Sequence, residues 1–174
     1  MHKFQQKLAT YTAIGRSLDP AYPSNRAIMA IIPITGLIGS AKAYLSGQAI
    51  MSCVGAGLML AIIVFLAWAL GREIAPDHEG AASVAAFAAL IAGLFIPVTD
   101  WLFIGQMIIL LMLMRIVNRT VGPPARLGDS LIVFGAAAFM ALSGAWLIAL
   151  VAANAFLLDA TLHKGQRHQI YFAA

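Results

Sequence analysis

The chain has 174 residues, of which 61% are hydrophobic and 10% charged, with a formal charge of +4. A water-solvated domain carries about 25% charged residues because its outside must be hydrated. This composition, with a mean hydropathy of +0.88, therefore points to lipid, where backbone polar groups must pair within the chain and helices are favoured. The length supports one compact domain, and the single cysteine, Cys53, excludes an intrachain disulfide and any CxxC redox or zinc site.

The first 26 residues carry Lys3, Lys7, Arg16 and Arg26 together with Pro20 and Pro23. No short apolar region with a small-residue cleavage site precedes the first long apolar run, so a cleavable signal peptide is not expected. Leu8, Tyr11, Ile14 and Leu18 recur at helical spacing before Asp19-Pro20. That pattern suits either a short amphipathic helix on a membrane surface or a cap packed under a bundle.

Five apolar stretches follow, at about 27–45, 49–70, 80–98, 101–117 and 129–157. A helix rises 1.5 Å per residue, so about 20 residues cross a hydrocarbon layer of roughly 30 Å. The first stretch contains Pro33, which removes a helical hydrogen bond and predicts a bend near Ile32 to Gly36. Ser46-Gly47-Gln48 reads as a short turn into the second stretch, which is the clearest of the five. The third and fourth are separated by Thr99 and Asp100, just after Pro97, and read as a tight hairpin; one long broken helix is the alternative. The last begins after Asp129-Ser130 and reaches Leu158, long enough to tilt.

The expected fold is thus an all-α integral membrane protein, a five-span transmembrane helical bundle with a possible short N-terminal surface helix. With a cytoplasmic N-terminus, Lys3, Lys7, Arg16, Arg26, Arg72, Arg115, Arg119 and Arg126 fall on the inner side. Lys42, Lys164 and Arg167 fall outside, eight positive residues against three. The asymmetry predicts N-terminus inside and C-terminus outside. Residues 1–26 form a cytoplasmic segment in this reading, 27–158 the transmembrane domain and 159–174 an extracytoplasmic tail. A bacterial inner membrane is the expected location. Small residues at helical spacing, Gly36 with Ser40, Gly57 with Ala61, and Ala82 with Ala86, offer faces for close helix approach.

The chemistry-bearing residues gather in two places. Arg115 and Arg119 are four apart, so on one helix they share a face with Asn118 beside them. With Arg126 they form a guanidinium set suited to phosphate or anionic lipid. Asp77 and His78, between the second and third stretches, are the weak acid–base candidates, and Asp77 also suits a helix N-cap. Asp100, Gln106 and Asn154 could line a polar path through a membrane, although Asp100 also suits a turn or cap. Asp159 and His163 are spaced for one helix face but are too few to hold a metal. No HExxH, nucleophile elbow, Walker loop or dinucleotide fingerprint is present. Neither cofactor nor metal is expected, and the scattered positive residues do not suit nucleic acid.

Three functions fit these residues. The first is an accessory subunit or lipid-facing scaffold of a larger membrane complex, with membrane lipids and a homo-oligomer or larger assembly as partners. The second is an enzyme or carrier for a phosphorylated lipid that uses the arginine collar. The third is an oligomeric small-solute or ion transporter.

Overall fold

The computed structural model describes residues 12, 14–15, 18–96, 100–118, 125–162 and 169–173. These residues form seven helices: α1 (Pro23–Leu45), α2 (Ile50–Ile74), α3 (Glu79–Phe95), α4 (Trp101–Val117), α5 (Leu127–Leu142), α6 (Trp146–Thr161) and α7 (Ile170–Ala173). The chain divides into two compact units. One is Leu18–Ile104; the other joins Met1–Ser17 to Gly105–Ala174.

The all-α expectation matches these elements, but the five-span bundle does not. Among the described residues, only α1 and α2, with 23 and 25 residues, are long and apolar enough to cross a membrane. The remaining long helices have 16 or 17 residues, which gives about 24–26 Å of rise against a layer of roughly 30 Å. Length and apolarity are also what a buried core helix shows, and α2 buries Val64, Leu66 and Trp68 within its own unit. The multi-pass description and the orientation drawn from charge counting both presupposed five crossings, and both fall with them.

The stretch at 129–157 is the plainest correction. It is two helices, broken at Ser143-Gly144, where Gly144 adopts φ +101°. Gly144 N donates to the Ala141 carbonyl at 3.1 Å and Ala145 N to the Met140 carbonyl at 3.0 Å. This pair of bonds is the Schellman closure, which satisfies carbonyls at a helix C-terminus and requires a left-handed residue. The Ser46-Gly47 turn after α1 repeats it: Gly47 has φ +76°, and Gly47 N and Gln48 N donate to the carbonyls of Tyr44 and Ala43. Gly144→Ala should therefore cost about 1 kcal/mol, because a Cβ disfavours positive φ. A lowered unfolding midpoint in mild detergent checks this; an unchanged one would show that the turn relaxes without penalty.

In the unit Leu18–Ile104, α1 starts with Pro23 in its first turn, where a missing N–H costs nothing. Pro33 lies inside α1 without ending it. The small-residue faces of α1 and α2 meet: a Cβ at Gly39 would stand 3.0 Å from Gly57 Cα and 3.1 Å from the Ala56 carbonyl oxygen. The other end of the pair is tied by Arg72, whose Nη1 donates to Asn25 Oδ1 at 2.6 Å. Asn25 Nδ2 in turn donates to the Asp19 carbonyl at 2.8 Å, and the Arg72 guanidinium lies over the Trp68 ring, 5.0 Å from its centroid. Helix α3 lays its Ala82–Ala86 face on α2 near Gly71, where an added Cβ would be 3.0 Å from Ala82 Cα.

The second unit has its own core. Ile109, Leu113 and Ile116 of α4 share one face and pack with Val133 and Ala137 of α5 and Ile148, Ala152 and Phe156 of α6. Ile14 joins this core, so the one described part of the expected amphipathic repeat in this unit is buried by protein. Leu8 and Tyr11 lie outside the described residues. Phe172 of α7 meets Phe134 and Phe156 with ring centroids 5.6 and 5.4 Å apart.

Candidate functional site

Several polar residues of the second unit, Thr12, Asp129, Ser130 and Gln169, converge at the start of α5. Asp129 sits in the first turn, where carboxylate charge is favoured by the exposed N–H groups of a helix N-terminus. Although buried, it accepts two hydrogen bonds: Thr12 Oγ1 donates to its Oδ1 at 2.6 Å and Arg126 N to its Oδ2 at 3.0 Å. Next to it, the buried Ser130 donates to the Arg126 carbonyl at 3.2 Å and accepts from Gln169 Nε2 at 2.8 Å. The fully buried Gln169 keeps its Oε1 without a hydrogen bond among the described residues.

Arg115 enters the same region from the end of α4. Its Nη1 donates to the Ile14 carbonyl at 2.6 Å, and Ile14 N donates back to Thr12 Oγ1 at 3.2 Å. Thr12 and Ile14 thus bridge Arg115 to Asp129. The result is a latch that ties an N-terminal segment to two helix ends, and at least one guanidinium nitrogen of Arg115 serves it. Asn118 is half-buried where α4 closes, its N donating to the Met114 carbonyl at 2.7 Å. The Arg126 side chain is exposed, and Arg119 lies outside the described residues. Of the expected set, Arg115, Asn118 and Arg126 therefore share one unit, with a structural partner already on Arg115. Thr12, Ser130 and Gln169 are participants that sequence reading missed; only Asp129, as a helix-start residue, carried a local signal.

The other candidates are dispersed. Asp77 and His78 are both exposed, and His78, not Asp77, occupies the N-cap position of α3, with no side-chain capping bond. Asp100 is exposed and caps α4, its Oδ1 accepting from Leu102 N at 2.8 Å. Gln106 is half-buried on α4. Asn154 is exposed on α6, its Nδ2 donating to the Leu150 carbonyl at 2.7 Å. Asp159 is buried in α6, while His163 is outside the described residues. No group of three or more potential metal-binding His, Cys, Asp or Glu residues occurs among the described residues.

These features define a class no narrower than an all-α helical protein with two long apolar helices and a buried polar latch. No protein-family model, curated protein or solved structure matches the chain.

Proposed function

We propose that the protein is a membrane-associated accessory subunit or scaffold, seated through the α1–α2 pair and covered elsewhere by a partner. The observation that supports this is the amount of large apolar surface left open. Leu37 on α1 is 72% exposed, Met51 on α2 81% and Leu142 at the end of α5 90%. Single exposed apolar residues are ordinary, whereas extended apolar surface marks a lipid or protein contact. Arg115 and Asp129 serve a latch in this reading, and the chain contributes surface to an assembly.

Ile34, at the middle of α1 and 55% exposed, provides the test. An arginine at the centre of a lipid-facing helix costs about 2.5–3.5 kcal/mol on insertion scales. Ile34→Arg should therefore reduce the fraction retained in membranes after an alkaline carbonate wash. The unmodified chain should stay in the membrane and elute from mild detergent in a complex larger than its own 18.4 kDa. Release of the unmodified chain by carbonate, or elution as a lone subunit, would sink the proposal.

A further inference from the structure

The unit Leu18–Ile104 contains a cavity of about 600 Å³ between α1, α2 and α3, with Trp101 at its border. Its existence has a local cause. Gly55 faces it, and a Cβ built on Gly55 meets nothing within 4 Å. The cavity is chemically divided. Met59, Leu60 and Ile63, which line it from α2, are buried, whereas Lys42, Gln48 and Ser52 line it from exposed positions. One end is therefore apolar and closed, and the other polar and open to the outside.

Lys42 is the only charged side chain in that lining among the described residues. Its Nζ donates to the Leu94 carbonyl at the end of α3, which uses one of the three N–H donors of an ammonium. A volume of this size is that of a small-molecule pocket, mostly apolar with a few placed polar groups. A helix about 10 Å across occupies roughly 400 Å³ per turn, so a partner helix would find room for less than two turns. A single ammonium is a compact point charge, whereas phosphate is better matched by the planar donor fork of arginine.

We propose that this cavity binds a long-chain carboxylic acid. The alkyl chain lies against Met59, Leu60 and Ile63, and the carboxylate pairs with Lys42 beside Gln48 and Ser52. No bond is made or broken; the site binds. Every residue involved belongs to one unit, and binding is read on purified protein, apart from the membrane retention that tests the seating of α1 and α2.

The test uses delipidated full-length protein in mild detergent with isotope-labelled oleate, and oleyl alcohol as a neutral probe of the same chain. Oleate should bind saturably at one site per chain. A charge-assisted hydrogen bond accounts for about tenfold in affinity, so Lys42→Met should weaken oleate by about that factor and leave oleyl alcohol within about twofold. Lys42→Arg should retain oleate, which separates loss of charge from loss of the Leu94 contact. Gly55→Leu, which fills the cavity from a position with open space, should abolish binding of both probes while helix content persists and the unfolding midpoint does not fall. Oleate binding unchanged in Gly55→Leu would overturn the site. Equal weakening of both probes by Lys42→Met would overturn the carboxylate pairing, as would tighter binding of a lysophosphatidic acid of the same chain length.

Discussion

Gly57→Ala is expected to destabilise the protein by about 2–3 kcal/mol, although alanine is the better helix former by about 1 kcal/mol. The reason is the closeness of α1. A Cβ at Gly57 would overlap Ser40 Oγ and the Gly36 carbonyl oxygen, and would stand 3.2 Å from Ser40 N. The serine hydroxyl can rotate, but the carbonyl belongs to the backbone of α1, so the two helices must separate to make room. Gly55 supplies the contrast two residues away. Its Cβ would meet nothing within 4 Å, so Gly55→Ala should gain up to about 1 kcal/mol from helix propensity alone. The two variants should shift the unfolding midpoint in opposite directions in the same detergent. A rise in both would show that the α1–α2 crossing is looser than its geometry implies, and a fall in both that Gly55 lacks the open space its geometry implies.

Asp129→Ala should cost at least about 3 kcal/mol. The substitution removes the acceptor for Thr12 Oγ1 and Arg126 N, and hydrogen bonds to a charged group each contribute about 1.5–3 kcal/mol. It also removes a negative charge from the first turn of α5, a further 0.3–1 kcal/mol or about that. The effect should extend to residues far off in sequence, since Thr12 is 117 positions away. Amide exchange at Ile14, whose N–H is bonded to Thr12 Oγ1, should accelerate along with the amides at the start of α5. Acceleration confined to α5 would mean that Thr12 and Ile14 hold their place through the Ile14 side chain and Arg115 alone. Asp129→Asn should fall between the two, because the amide retains one acceptor oxygen and loses the charge.

The small-residue spacing on α1 and α2 is legible in the residue order, and those faces do meet at Gly36, Gly57 and Ala61. The break at Gly144 was equally present in the residue order. Ser143-Gly144 repeats the dipeptide Ser46-Gly47, which was read as a turn; continuous apolarity on both sides concealed the second one. Apolarity reports an environment, while the positive φ of a Schellman closure depends on one glycine. The same confusion inflated the span lengths, since an apolar run at 80–98 became a helix that closes at Phe95.

Arg115 shows where local reading stops. Its placement on one helix face with Asn118 follows from periodicity, and that pattern suggests phosphate. Its Nη1 meets the Ile14 carbonyl, 101 residues away, which no local pattern announces. The same holds for Arg72 with Asn25 at a separation of 47 and for Gln169 with Ser130 at 39. Helix positions, the caps at Asp100 and Asp129, and the glycine turns arise from φ preferences and hydrogen bonds within a few residues, so residue order alone carries them. Which small faces touch, which polar groups become buried, and that Lys42 shares a cavity with Met59 and Ile63 depend on distant segments packing together. Those features exist only once the chain has closed on itself, because a buried polar group is tolerable only where a partner from elsewhere meets it.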